Sequence, residues 1–363
     1  MYPGIQKQGL EHRQEDCYKK GDMGQNKKKN EVNSAGDRFQ DFYRQHYKDR
    51  WEVLSNALTQ DSGQIARPNK FLKNNSLEKH ADSSFHRLSF EEMILPPKPE
   101  GFVAEIPRDP ETGLLSYYVM DPASLWPVVA LNVNPGMRVL DMCAAPGGKT
   151  LAIAEQLFLG TQSPASSSHS VQLQMDLQQL SADSELIANE PSESRRDRLT
   201  KVLRQYIPEH FRKQCRVTGR DGGLFALKEA EGFDRILVDA PCSGERHLLQ
   251  NQQQLQEWSI QRNKGLGQRQ YALLTSALIC LKPAGRLVYS TCALSPFEND
   301  QVIEKLLKKK EGFRVIPSED WQSLAQKSPW QLPSLEPMEY GAMIFPDHNG
   351  YGPIYLSVLQ KDE

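Results

Sequence analysis

Ile236-Leu237-Val238-Asp239-Ala240-Pro241-Cys242 is a short apolar run that stops at an aspartate and a proline and delivers a cysteine. The pattern returns about fifty residues on, where Leu287-Val288-Tyr289 runs into Ser290-Thr291-Cys292. Unalternated, β-branched runs bounded by Gly or Pro signals read as strands buried on both faces of a parallel sheet. Both cysteines then stand at the carboxyl ends of strands, where open α/β sheets hold their ligands. Upstream, Leu140-Asp141-Met142-Cys143-Ala144-Ala145-Pro146-Gly147-Gly148-Lys149-Thr150 is a third strand, running into a glycine-rich turn and then a helix. One strand end for a ligand and two for thiols is a specific arrangement.

That third strand is expected over 138–140, and further strands at 186–188 and 216–218, with helices between, including 195–206 and 268–281. Strand–helix alternation of this kind implies an α/β fold with a doubly wound, mainly parallel sheet. C-terminal strands are expected at 313–316, 343–345 and 354–359. Asp121-Pro122 reads as a helix N-cap followed by proline at the first helical position. Phe39, Phe42, Tyr43 and His46, then Trp51, Leu54 and Leu58, recur at helical spacing to about residue 60. The fold is therefore expected to carry a mostly helical N-terminal extension. Residues 61–84 are polar and read as loop, and 91–101 as a proline-marked connection.

Three segments follow: a polar, basic tail at 1–35 that reads as disordered, a helical and loop-rich segment at 36–115, and a catalytic or binding domain at 116–363. The tail has too little apolar surface to offset chain ordering. Its Lys27-Lys28-Lys29 run is read as solvated rather than as a phosphate contact. Residues 160–183, rich in Ser and Gln, read as a surface insertion without assigned function.

Composition excludes little: of 363 residues, 38% are hydrophobic and 25% charged, and the net charge is −2, so no global electrostatic argument for nucleic acid exists. Six cysteines without a CxxC pair argue against structural zinc, and no metal site is expected. No run is apolar enough to span a membrane, and the first residues resemble neither a signal nor a transit peptide, so the cytoplasm and no membrane partner are expected.

The glycine turn is not a Walker loop, because Cys143 stands where that pattern needs glycine. It still allows a ligand to approach backbone amides at a helix N-terminus. Glu190 follows the second strand, where an acid accepts from ribose hydroxyls. Asp221-Gly222 follows the third, where a carboxylate meets an adenine amino group. Each acid alone more often caps a turn; with the glycine turn they form a nucleoside-binding rim.

Taken together, Asp141–Thr150, Asp239-Ala240-Pro241-Cys242 and Tyr289-Ser290-Thr291-Cys292 resemble the Sun/Nop family of S-adenosylmethionine-dependent RNA cytosine-5 methyltransferases. The resemblance runs from about residue 117 to the C-terminus. The stretch Tyr117-Tyr118-Val119-Met120-Asp121-Pro122-Ala123-Ser124-Leu125 is most similar to the subgroup with mitochondrial enzymes. The resemblance implies a Rossmann-like class I methyltransferase domain. It places the nucleophile on Cys292, base protonation on Asp239, and loss of the carbon 5 proton with enzyme release on Cys242. It also implies that S-adenosylmethionine is held by Cys143, Ala144, Ala145, Pro146, Gly147, Gly148, Lys149, Glu190, Arg195, Asp221, Gly222 and Asp239. Lys149 facing RNA phosphate or the base is the alternative. The residue types suit this chemistry. Cytosine carbon 5 is too weak a nucleophile until a thiolate adds to carbon 6, and only a thiol combines that nucleophilicity with a workable pKa. Cys143, Cys215 and Cys280 read as small apolar core residues.

One departure is Ser243-Gly244-Glu245-Arg246-His247 after Cys242, where many members continue with a second small-residue turn; it is expected to alter the base-pocket wall. The other is Glu190, where aspartate is commoner. A DNA cytosine methyltransferase would use the Pro-Cys cysteine and not need Ser-Thr-Cys, and an amino-group methyltransferase would carry an Asn/Asp-Pro-Pro-aromatic tetrad. A non-catalytic RNA-binding ribosome-assembly factor would not need both cysteines. The expected partner is RNA, ribosomal before transfer RNA, engaged by a monomer. The 36–115 segment is expected to dock RNA or to require a partner protein.

Overall fold

The apolar runs form strands, and neighbouring residues along each run go to opposite faces of one sheet. The computed structural model describes residues 34–72, 86–89, 92–94, 105–160, 181, 183–328 and 330–363. The tail 1–33, with its lysine triplet, and most of the 160–183 insertion lie outside the described residues.

The described strands are β1 (Ile65–Pro68), β2 (His86–Ser89), β3 (Glu92–Ile94), β4 (Tyr117–Met120), β5 (Arg138–Asp141), β6 (Glu185–Asn189), β7 (Cys215–Thr218), β8 (Phe233–Asp239), β9 (Leu281–Thr291), β10 (Phe313–Ile316), β11 (Glu336–Pro337), β12 (Ala342–Ile344) and β13 (Ile354–Lys361). The main helices are α1 (Ala35–Tyr47), α2 (Arg50–Thr59), α3 (Trp126–Leu131), α4 (Gly148–Leu159), α5 (Glu193–Tyr206), α6 (Glu245–Gln250), α7 (Ile260–Cys280) and α8 (Asp300–Lys309).

The large sheet has the order β11-β12-β13-β9-β8-β5-β6-β7, with β10 pairing β13. β5 to β9 are parallel to their neighbours, and β13 runs antiparallel to β9. The chain steps outward from β5 through β6 to β7, then returns to β8 and β9 on the other side of β5. This reversal is a topological switch point, and it opens a crevice at the carboxyl ends of β5 and β8. Val139, Leu186, Leu237 and Val288 pack with Leu151 of α4 and Leu199 of α5 on one face. Leu140, Ile187, Ile236, Val238, Leu287 and Tyr289 pack with Leu274 of α7 and Ile303 of α8 on the other. This is the expected doubly wound architecture.

The N-terminal helices bury their aromatic face in that second cluster. Ser34 and Asp37 form a capping box at the start of α1. Phe39, Tyr43 and Trp51 are fully buried, and the Phe39 ring meets Trp258 edge-on at 5.3 Å. Burial of each such ring contributes on the order of 2 kcal/mol. The periodic stretch is two helices rather than one because Lys48, with φ 50, ends α1. Asp121 accepts from the Ala123 amide at 2.8 Å, as an N-cap should.

The 61–101 region differs from its reading as loop. β1, β2, β3 and β4 form a four-stranded antiparallel sheet in the order β2-β3-β1-β4. β1 escapes pattern reading because it is four residues long and carries an arginine. That residue, Arg67, is buried only because it pairs with Glu155 of α4.

Candidate active site at the carboxyl ends of the strands

The turn after β5 is tied to both neighbouring strands. The Met142 amide donates to the Leu237 carbonyl and the Ala144 amide to the Asn189 carbonyl, each at 2.9 Å. Gly147 has φ +120, a conformation that L side chains rarely adopt. A Cβ on Gly148 would meet the Tyr118 ring at 2.7 Å, so the start of α4 lies close under β4. The Thr150 hydroxyl donates to Asp141 Oδ2 at 2.7 Å, while Asp141 Oδ1 is buried without a hydrogen-bond partner among the described residues. Burial pushes the Asp141 carboxyl up to about 7, against the Thr150 hydrogen bond and with help from the Asp239 charge. A cavity of about 140 Å³ opens here, lined by Tyr118, Asp141, Cys143, Gly148, Lys149 and Asp239.

The rim runs along β6 and β7. Glu190 is buried; its carboxylate accepts from the Ser192 amide at 2.9 Å and lies 3.3 Å from Arg195. Arg195 also donates to the Ala145 carbonyl at 3.0 Å, so it braces the proline of the turn against β6. Asp221 is exposed, and accepts from the Gly223 amide at 2.9 Å. Gly222 is buried, and a Cβ there would strike Leu273 at 2.6 Å. Cys143, Ala144, Ala145, Pro146, Gly148, Lys149 and Asp239 line the cavity itself; Gly147 packs toward Val202 of α5. Asn189 was not read from sequence, yet its amide donates to the Met142 and Arg220 carbonyls at 3.1 and 3.0 Å. It also accepts from the Thr218 hydroxyl at 2.8 Å, joining three strand ends. An asparagine ending an apolar run was the only available signal.

β8 and β9 bring the reactive groups together. Asp239 accepts from Lys149 Nζ at 2.8 Å and from the Ser290 hydroxyl at 2.7 Å. Burial works against the Lys149 charge, but Asp239, Cys292 and Asp141 together hold its pKa above the ordinary value. Cys242 and Cys292 Sγ are 2.9 Å apart, and the Cys292 amide donates to Cys242 Sγ at 3.3 Å. The hydrogen bond to Cys292 pushes the Cys242 thiol well above its ordinary pKa, with burial and the Cys292 charge adding to it. Either sulfur can be the donor of that contact; Cys292 is exposed and Cys242 half-buried. Burial likewise pushes Cys143, Cys215 and Cys280 up; Cys280 is the buried core thiol expected, whereas Cys143 and Cys215 are half-buried and Cys143 lines the cavity.

The departure after Cys242 has a structural meaning. Glu245 turns inward and is fully buried. Arg246 ties the N-terminal and C-terminal parts of the chain by donating to the carbonyls of Gln60 at 2.5 Å and Gly352 at 2.9 Å.

These residues fit a cationic sulfonium bound at the switch point. The carboxyls of Asp141 and Asp239 line the cavity, and glycine at 148 leaves backbone in reach. When bound, S-adenosylmethionine would supply an electrophilic methyl group; the cavity residues would hold its sulfonium end, and Glu190 and Asp221 its nucleoside.

Asp141 and Glu298 both have carboxyls raised by burial to about 7. A carboxyl raised in the folded state stabilises fully below its unfolded value and loses that contribution as pH rises through the folded value. Stability should therefore fall between about pH 4 and 7, by on the order of 3 to 4 kcal/mol per group. Melting of Asp141→Asn and Glu298→Gln beside the wild type at pH 5 and pH 8 tests this. Each variant should be less pH-sensitive than the parent, and an unchanged gap at the two pH values refutes the raised carboxyls.

The model of the 16S rRNA methyltransferase RsmB/F family matches residues 174–360. The 5-cytosine rRNA methyltransferase NSUN4 of Xenopus tropicalis is 36% identical over 256 residues, covering 68% of this chain and 57% of the relative. The mitochondrial tRNA (cytosine(34)-C(5))-methyltransferase of Mus musculus is 29% identical over 343 residues, covering 90% of this chain and 89% of the relative. Among solved structures, a methyltransferase homolog protein from Pyrococcus horikoshii superposes with TM-score 0.63 at 25% identity, covering 90% of this chain and 95% of that one. The chain spans less than two thirds of the length of the NSUN4 relatives it matches, 57% in X. tropicalis and 61% in M. musculus.

Proposed function

The chain belongs to the 16S rRNA methyltransferase RsmB/F family, and from that premise we propose that it methylates carbon 5 of cytosine in RNA with S-adenosylmethionine. The observation that carries this is the 2.9 Å approach of two thiols, Cys242 and Cys292, beside the Lys149–Asp239 pair. Cys292 Sγ, as the thiolate, adds to carbon 6 of the base; the displaced electron pair moves through carbons 5 and 4 to nitrogen 3, which takes up a proton from solvent that Asp239 holds there by accepting its hydrogen bond. Carbon 5 thereby becomes nucleophilic and takes the methyl group. Cys242, having given its own proton to solvent, then takes the carbon 5 proton as its thiolate. The freed electron pair re-forms the bond between carbons 5 and 6, the carbon–sulfur bond breaks to restore the Cys292 thiolate, and the nitrogen 3 proton is released.

Ribosomal RNA is the first expected substrate. Transfer RNA is the second reading, supported by the near full-length match to a mitochondrial tRNA enzyme. Residues 36–115 are assigned the docking of that RNA.

Calorimetry should detect S-adenosylmethionine binding, weakened about tenfold in Asp221→Ala by loss of a hydrogen bond to the nucleoside. Tritiated methyl transfer should go to RNA and yield 5-methylcytosine on nucleoside analysis. Binding of ATP or NAD in place of S-adenosylmethionine, or preferential methylation of duplex DNA, overturns the reading.

A further inference from the structure

We propose that Glu245 and Glu298 are positioning residues that set the separation of Cys242 and Cys292 by a reciprocal exchange, each carboxyl following one cysteine and gripping the loop of the other. Glu245 lies just beyond Cys242, and its Oε2 accepts from the Leu294 amide in the Cys292 loop at 2.8 Å. Glu298 lies beyond Cys292, and its Oε2 accepts from the Ser243 amide in the Cys242 loop at 2.9 Å. The two hydrogen bonds thus tie each cysteine loop to the carboxyl that follows the other cysteine. The Cys292 amide-to-Cys242 sulfur contact joins the same two loops.

The surrounding elements fix the two carboxyls. Glu245 Oε1 accepts from the Ser243 hydroxyl at 2.7 Å and from the Tyr43 hydroxyl of α1. Asn263 of α7 in turn donates to the Tyr43 oxygen at 3.3 Å. Gln270 of α7 donates both to Glu298 Oε2 at 3.1 Å and to the Pro241 carbonyl at 3.0 Å, so one amide serves the acid and the Cys242 loop together. The Tyr289 hydroxyl of β9 donates to the Glu298 carbonyl at 2.5 Å. The N-terminal helix is thus a wall of the thiol site through Tyr43.

Both glutamates are fully buried, and the donors named here are amides and hydroxyls, none of them a cation. Two carboxyls buried side by side without a cation are costly for stability, so their placement points to the geometry they hold. The pair is also asymmetric. Glu245 uses both oxygens for three donors and must present two acceptors. Glu298 uses one oxygen and leaves Oε1 buried without a partner among the described residues. Burial, then the Glu245 charge, raises the Glu298 carboxyl to about 7, which supports a protonated acid at that position. Glu245, Tyr43, Tyr289 and Cys242 are the titratable groups packed around it. A glutamine therefore reproduces Glu298 but not Glu245.

The catalytic consequence rests on the covalent reading above, so the test reads thiol geometry without RNA. Diamide takes two electrons and two protons from Cys242 and Cys292 as they close to a disulfide, and mass spectrometry follows the rate in the full chain. A displacement of the loops by about 1 Å should slow closure about tenfold or more. Glu245→Gln and Glu298→Ala should show that loss, while Glu298→Gln restores the rate to within about twofold of the parent. Thermal melts confirm that each variant is folded, and the glutamine variants carry the test if Glu298→Ala is not. Closure at the parent rate in Glu245→Gln, or equal slowing in Glu245→Gln and Glu298→Gln, overturns the reciprocal clamp. Closure as expected in a protein that transfers no methyl group to RNA leaves the clamp standing and removes the covalent reading instead.

Discussion

Cys292→Ala will abolish methyl transfer, by about 10⁴-fold or more, because the ring then has no route to a nucleophilic carbon 5. Cys242→Ala will do something different: it will complete addition and methyl transfer, then stall with RNA bonded to Cys292. The two thiols are distinguished by their surroundings. The exposed Cys292 has its sulfur in hydrogen-bond contact with that of Cys242, 2.9 Å away, and its amide donates to Cys242 Sγ. Cys242 is held protonated first by that same hydrogen bond, then by burial and the Cys292 charge. Once Cys292 is a thioether it carries no charge, and the largest cause of the raised Cys242 pKa is gone. On the proposed mechanism, Cys242 gives up its own proton once the adduct exists and then takes the carbon 5 proton. The Cys242→Ala complex should appear as a slow band on a denaturing gel and vanish in the double variant. A band from Cys292→Ala but not from Cys242→Ala would reverse the roles. Methylation intact in both variants would end the covalent mechanism.

What could be read in the sequence is what strands decide. Apolar runs longer than a turn announce β5, β6, β8, β9 and β13, and the residue after each run is then placed at a strand end whatever the helices do. Cys242, Cys292, Asp239 and the glycine turn all inherit their positions in this way. The residues that escaped reading depend on which loops meet. Glu245 resembles any first-turn acid of a helix, and only the return of the chain beside Leu294 makes it a buried acceptor. Glu298 is legible to no pattern, because its partner Ser243 is fifty-five residues away. Asn189 joins β5, β6 and the loop after β7, contacts that no spacing encodes. β1 was lost for a different reason: Arg67 contradicts an apolar strand until Glu155 arrives from α4.

Asp239→Asn should lower kcat by about 10² to 10⁴-fold, the range for a lost proton-transfer partner, with little change in the KM for RNA. The side chain ends β8 within the switch-point crevice, and its two oxygens are occupied by different donors. The Ser290 hydroxyl fixes one at 2.7 Å and Lys149 the other at 2.8 Å. The carboxylate is therefore oriented before substrate arrives, with Lys149 balancing its charge in a half-buried setting. An asparagine keeps the shape but cannot present two acceptors. Its amide either turns toward the Lys149 ammonium or gives up the serine, so the group that should hold a proton at nitrogen 3 is misdirected. Since nitrogen 3 gains its proton as Cys292 adds, the loss belongs to the addition step and not to release. That places the decisive measurement in the Cys242→Ala background, where release is already blocked. Adduct should form at least about 100-fold more slowly in Asp239→Asn/Cys242→Ala than in Cys242→Ala alone. Lys149→Met should act on the same unit, so that Lys149→Met/Asp239→Asn costs much less than the product of the single losses. Adduct accumulating equally fast with and without Asp239 would show that this carboxylate takes no part in activating the base.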